Sequence, residues 1–338
     1  MTVGGGPTAI LTVEDVSQVG HVRRAAQHLA QRIGLSDTDA GRVALSATEL
    51  ASNMIKHAGG GELYLQRVPG NEVGVELLAV DKGPGLDLGT CVADGFSTQG
   101  TQGIGLGAVV RQASVFDAYS DVRGSVILSR IYDGRAPVQD MALGVCQYAL
   151  HGSSACGDAW QVALADGNVS AVVIDGLGHG PEAEYAAKAG VDAFLRSPFG
   201  DPPALLQALH AAMTGTRGGA AAVARYTGHD ATLHFAGVGN IAARLLGAGV
   251  SRGLVSMPGI LGVNHRKAQC FSYTQVAGNL LILHSDGLQS RWNITDYPGL
   301  GHKHPAVIAA LLHRDFRRRT DDVTILVLPL GNAHVQSN

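Results

Sequence analysis

At 338 residues the chain is too long for one average domain and suits two. Apolar residues make up 46% and charged residues 16%, ample for packed cores, and a formal net charge of -3 gives no electrostatic case for nucleic acid. No apolar run is long enough to span a bilayer and no basic-apolar-small leader opens the chain, so a cytoplasmic protein without a membrane partner is expected. Cys91, Cys146, Cys156 and Cys270 lack zinc-ligand spacing and read as reduced thiols.

In chain order, Val19, Val22, Ala26, Leu29 and Ile33 recur with a helical period that Gly34 closes. Ser36 caps a second helix, with Asp39 three residues on, and Val43, Ala47, Leu50 and Met54 form its apolar stripe before Gly59 and Gly60 stop it. Strands follow over 62–68 and 73–80, then a glycine-rich stretch, a short helix over 106–113 and strands over 115–119 and 125–131. Helices on one face of a mixed or antiparallel sheet make an α+β sandwich.

The patternless segment 134–141 reads as a linker between a domain over 1–133 and a second over 142–332, with a flexible tail over 333–338. Beyond it come strand-like runs over 142–150, 160–165, 169–174, 221–226, 232–236, 241–246, 268–274, 279–284 and 323–328. Helical patterns over 181–195, 203–213 and 305–316 are few and clustered, which predicts two packed sheets flanked by helices.

Acidic residues stand at the edges of these strands: Asp158, Asp175 before Gly176, Asp286 before Gly287, and the pair Asp321-Asp322. Asp-Gly is a common turn pair. Several such carboxylates converging from distant strands, however, repel one another unless a cation sits among them. Oxygen ligands favour Mg²⁺ or Mn²⁺, and two such ions can activate a water and neutralise a phosphoryl group. Asp158, the run Asp175-Gly176-Leu177-Gly178-His179-Gly180, Ser285-Asp286-Gly287 and Asp321-Asp322-Val323-Thr324 together resemble the SpoIIE-like branch of the metal-dependent serine/threonine phosphatases, over about 145–330. The resemblance implies an αββα sandwich in which Asp158, Asp175, Asp286 and Asp321 hold two Mn²⁺ or Mg²⁺ ions with the Gly176 carbonyl. It leaves Asp322 as either a ligand or a neighbour. His179 would orient the phosphate or shape the turn, and Gly237, Gly239 and Asn240 form a structural turn.

In the first domain Glu49, Asn53 and Lys56 are spaced four and three apart and share one helix face. Asn53 offers a neutral oxygen to Mg²⁺, and Glu49 can serve as a base. Asp81-Lys82-Gly83-Pro84-Gly85 ends a strand, where a carboxylate can accept from an exocyclic amine and glycines admit a purine. Gly100, Gly103, Gly105 and Gly107 precede a helix, as a phosphate cradle would. In this order the segments resemble the GHKL (Bergerat-type) ATP-binding fold over about 13–131, and the wording Asp94-Gly95-Phe96-Ser97-Thr98 with Gly124-Ser125 is similar to the stressosome switch kinases. The resemblance implies ATP with Mg²⁺ held by Asn53, adenine read by Asp81, Glu49 as base, and contacts from Lys56, Gly83, Gly85, Gly103, Gly105, Gly107 and Ser125.

A kinase-like domain joined to a phosphatase implies a switch acting on a phosphorylated regulator of the STAS or stressosome type. A homodimer is implied by the same families. The alternative is a non-catalytic or anti-sigma-type module that sequesters a sigma-factor regulator.

Overall fold

A computed structural model describes residues 1–87, 105–134, 140–247, 250–265, 268–331 and 335–336. The chain forms two compact units: Thr8–Asp140, and a second built from Met1–Pro7 with Met141–Gln336. This differs from a first domain starting at residue 1, because strand β1 (Thr2–Gly4) pairs antiparallel with residues 161–163 and buries Val3 in the second unit's core. Of the linker expected over 134–141, residues 135–139 lie outside the described residues, as does most of the 333–338 tail.

The first unit runs β2 (Ala9–Val13), α1 (Val16–Arg32), α2 (Asp37–Asn53), β3 (Gly61–Arg67), β4 (Gly74–Val80), α3 (Leu106–Gln112), β5 (Val115–Asp121) and β6 (Gly124–Tyr132). Its strands form one antiparallel sheet in the order β2-β3-β4-β6-β5. Both helices start where side chains answer orphan amides: Asp15 and Gln18 make a capping box on α1, and the Ser36 hydroxyl accepts from the Asp39 amide on α2. Their apolar stripes, Val22, Ala26 and Leu29 with Val43, Ala47 and Leu50, pack against Leu63, Leu77, Ala79 and Ile127 of the sheet. Alternation sends Glu76 and Arg130 away from that core, and there Arg130, fully buried, pairs with Glu76 and with Asp140, each at 2.7 Å.

The second unit continues with β7 (Gly144–Tyr148), β8 (Asp158–Ala165), β9 (Asn168–Gly176), α4 (Pro181–Arg196), α5 (Pro202–Met213), β10 (Gly219–Thr227), β11 (Thr232–Val238), β12 (Ala242–Gly247), β13 (Val250–Leu254), β14 (Phe271–Tyr273), β15 (Leu280–His284), α6 (Pro305–Phe316) and β16 (Val323–Pro329). One sheet runs β1-β8-β9-β10-β11-β14 and the other β13-β12-β15-β16-β7. Ala171 and Val173 of β9 face the other sheet, meeting Leu281, Leu283, Leu326 and Leu328. Their neighbours Val172 and Ile174 face α4 and α5 through Ala186, Phe194, Leu206 and Leu209. Helix α6 covers the second sheet on β7 and β16. The expected αββα sandwich is present, and both sheets send strand ends toward the same acidic residues. No helix among the described residues is long and apolar enough to cross a membrane.

Candidate metal centre and nucleotide recess

Asp158 opens β8 and Asp175 sits near the end of β9, and the antiparallel register makes them direct cross-strand partners. From the facing sheet, Asp286 follows β15 and Asp321-Asp322 precede β16, which pairs with it. Five carboxylates thus gather from four strand ends of two sheets. Gly176 follows Asp175 under α4, where any β-carbon would meet the Ala183 carbonyl at 2.2 Å. The Asp-Gly pair here therefore answers to close helix packing.

Burial and mutual repulsion set the electrostatics. The Asp175 carboxyl is pushed up to about 7, chiefly by burial and then by Asp286, Asp321 and Asp322. Asp158 is raised well above the usual carboxylate range by burial and by Asp175, against a hydrogen bond from Ser285. Asp321 is raised by burial, with Asp286 and Asp322 adding to it and His179 opposing. Among the described residues no three acidic, histidine or cysteine side chains are drawn in tightly enough to form a ready-made ion site. The donor set nonetheless fits a hard divalent cation. It is all oxygen and acidic, and its crowded carboxylates repel one another until a positive charge joins them.

The supporting hydrogen bonds divide the carboxylates by role. The Ser285 hydroxyl donates to Asp158 Oδ2 at 2.6 Å and accepts from the Thr324 amide at 2.9 Å. Asn240 Nδ2 donates to Asp286 Oδ2 at 2.7 Å, so the turn expected to be only structural reaches a candidate ligand. Gln147 Nε2 donates to the Asp158 carbonyl at 2.7 Å. Asp322 Oδ1 accepts from the Leu150 amide and Oδ2 from the Gly157 amide, both at 2.6 Å. With each oxygen engaged by backbone, Asp322 pins the segment that leads into Asp158. Ser285 sits in the acidic motif itself, but nothing in the sequence signals Gln147 or the clamp by Asp322.

In the first unit, Asn53, Asp81, Gly83, Gly85 and Ser125 line one recess with Leu50, His57 and Ile127. Asp81, at the end of β4, accepts at Oδ1 from the Gly83 amide (2.9 Å) and the Ser125 amide (3.1 Å). Gly85 has φ +85°, and a β-carbon there would meet the Asp121 carbonyl at 2.3 Å, which is why glycine serves. Helix α2 widens into a π turn over Met54–Ala58. That turn rotates the residues after Asn53, so His57 lines the recess while Lys56 is exposed outside it. Glu49 is half-buried, its carboxyl raised by burial against the pull of Lys56. Gly105 caps α3 and Gly107 lies within it, whereas Gly103 and the 94–98 wording lie outside the described residues. Between these described lining residues the recess leaves about 10 Å³ of free space.

Residues 12–129 match the histidine kinase-like ATPase domain and residues 165–330 match stage II sporulation protein E (SpoIIE). The serine/threonine-protein kinase RsbT of Bacillus subtilis (strain 168) is 33% identical over 100 residues, 29% of this chain and 75% of RsbT. The phosphoserine phosphatase RsbX of the same organism is 26% identical over 186 residues, 54% of this chain and 92% of RsbX. Among solved structures, a chain from work on the bacterial stressosome as a modular system adapted to control secondary messenger signaling is 31% identical with a TM-score of 0.52, covering 55% of this chain and 97% of its own. RsbX in complex with magnesium shares the fold at 24% identity and a TM-score of 0.50, over 54% of this chain and 92% of its own. With carboxylates gathered at two sheet ends and an aspartate-and-glycine recess beside an asparagine helix, the chain belongs to the GHKL-type ATPase family in its first unit and to the SpoIIE/RsbX-like PP2C phosphatase family in its second.

Proposed function

We propose that the second unit hydrolyses phosphoserine or phosphothreonine on a small phosphorylated regulator of the STAS or stressosome type. The first unit binds ATP with Mg²⁺ and either phosphorylates the same pathway or controls the phosphatase. The observation that carries this reading is the gathering of Asp158, Asp175, Asp286 and Asp321 at one end of the sandwich, with burial and repulsion holding Asp175 at about 7. Those four carboxylates, with the Gly176 carbonyl, would hold two Mn²⁺ or Mg²⁺ ions, which supply an acidified water and neutralise phosphoryl oxygens. The chain's own groups order the site around them. Ser285 fixes the orientation of Asp158, Asn240 that of Asp286, and Asp322 holds the approach to Asp158.

In the first unit Asn53 would take the Mg²⁺ that accompanies ATP, Asp81 the adenine amine, and Glu49 the proton of an incoming hydroxyl. Glu49 is not among the residues that line the recess, which favours a second reading for this unit alone, in which it is a binding module that holds a regulator without turning over nucleotide.

The deciding experiment is phosphate release from a phosphoserine-bearing STAS protein with Mn²⁺, for wild type and Asp175→Asn, with and without ATP. Release by wild type and none by D175N is expected. No release by either, from a partner known to be phosphorylated, would overturn the phosphatase reading. Direct titration of ATP separates the two readings of the first unit: binding lost in Asn53→Ala supports the nucleotide site, and no binding by wild type supports the module.

A further inference from the structure

Arg217 stands between α5 and β10, beside the turn that carries Asp175 and Gly176. Gly219 is the register partner of Gly176, and the Leu177 amide donates to the Gly218 carbonyl at 2.9 Å, so the two segments run side by side. The Arg217 guanidinium lies over Gly178, where a β-carbon would stand 3.1 Å from Nη1. Gly178 has φ +87°, so the turn at this point presents bare backbone to the cation.

The base of Arg217 is fixed while its head is exposed. The Thr216 hydroxyl donates to the Met213 carbonyl at 2.7 Å and accepts from the Gly218 amide at 2.9 Å, locking the backbone on both sides. Its side chain is 47% exposed and its guanidinium pairs with Glu182, 71% exposed, in the first turn of α4. So exposed a pair contributes little and exchanges readily. Three other arginines of the unit are engaged elsewhere, Arg225 donating to the Phe199 carbonyl, Arg244 to the Ser290 carbonyl while covering Trp292, and Arg314 to Asp315, whereas Arg318 and Arg319 stand exposed before Asp321. Among the described residues, then, Arg217 is a cation on the turn of the acidic cluster whose ion-pair partner is a surface carboxylate outside that cluster.

We propose that Arg217 is the phosphate-recognising residue of the second unit, exchanging Glu182 for the phosphoryl oxygens of the substrate. A guanidinium presents a planar fork that matches two phosphoryl oxygens, a geometry a lysine cannot reproduce. Glu182 keeps the fork extended over the Gly178 turn between turnovers and competes with the incoming dianion. The inference rests on the phosphatase reading above.

The test uses the full-length chain with Mn²⁺ and compares wild type, Arg217→Ala, Arg217→Lys and Glu182→Gln. It measures kcat and KM on a phosphoserine peptide, inhibition by inorganic phosphate, Mn²⁺ affinity by calorimetry and thermal melting. R217A is expected to raise both KM and the phosphate inhibition constant by about tenfold or more, the loss of one charge-assisted fork. Its Mn²⁺ affinity and melting should match wild type, R217K should recover only part of the loss, and E182Q should tighten phosphate inhibition. Unchanged KM and phosphate inhibition in an active, folded R217A overturns the assignment and leaves the phosphatase intact. Loss of Mn²⁺ affinity or of melting temperature in both R217A and R217K overturns it in favour of a structural role for the turn. No release by wild type, as by D175N, overturns the phosphatase reading and this assignment with it.

Discussion

Asp321 and Asp322 are adjacent and chemically identical, yet the structure gives them different work. Asp322 spends both oxygens on the Leu150 and Gly157 amides, whereas Asp321 accepts at Oδ1 from the Asp322 amide and stands in the field of Asp286. A ligand role predicts that Asp322→Asn abolishes Mn²⁺ binding as D175N does. The clamp predicts something else: D322N keeps one acceptor and most of the metal affinity, while Asp322→Ala leaves two amides without their acceptor, costing about 3 kcal/mol. Denaturant unfolding and Mn²⁺ calorimetry on the three variants decide, and equal loss of metal in D322N and D175N would sink the clamp. At this scale the sequence was legible where chemistry is local. Each aspartate beside a glycine at a strand edge could be picked out, but the bond from Ser285 to Asp158 spans 127 positions and that from Gly157 to Asp322 spans 165. Only the folded sheets determine such pairings.

Helices and strands were legible in the sequence to the extent that one period ran through them. The cap at Ser36 and the stripe from Val43 to Leu50 fix α2, and the short, nearly continuous apolar run over 169–174 marks β9 as a strand buried on both faces. The pattern stops being informative where the period changes. The π turn over Met54–Ala58 displaces Lys56 and brings His57 to the recess, and no residue type in Met-Ile-Lys-His-Ala announces it. Helix α6 shows a further limit, for its burial extends well round the helix and includes His313, which no apolar pattern would place inside. Burial, and then Arg317, depress His313 to about 3 in the folded chain. In the unfolded chain the same imidazole takes a proton near its usual 6.5. Between those values the unfolded state binds more protons, so stability is full above about 6.5 and falls as pH drops toward 3. His313→Phe, which keeps a ring against Tyr148, should flatten the acid limb of unfolding midpoint against pH. An unchanged slope between pH 6 and 4 would exclude His313 as a source of acid sensitivity.

For the whole molecule, the chain order of the units is not the order of their cores. Strand β1 belongs to the second unit, yet the entire first unit, Thr8–Asp140, intervenes before the rest of its sheet. A three-residue strand has no period to read and its partner lies some 160 positions away, which is why the sequence division ran from residue 1. The pairing has an energetic consequence. Val3 is 3% exposed, in a core shared with Trp160 and Val162, and burying a valine side chain contributes about 2 kcal/mol. Without β1, strand β8, which begins at Asp158, becomes an unprotected sheet edge. Val3→Asp in the full-length chain should therefore lower the melting of the second unit by about 4–8 °C, and should raise amide exchange over 161–164. Exchange in β3 and β4 of the first unit should stay as in wild type. Faster exchange in β3 and β4 with β8 unaffected would mean that the opening residues serve the first unit instead. If β8 alone loosens, any excised phosphatase unit must carry residues 1–7 to retain a native edge beside Asp158.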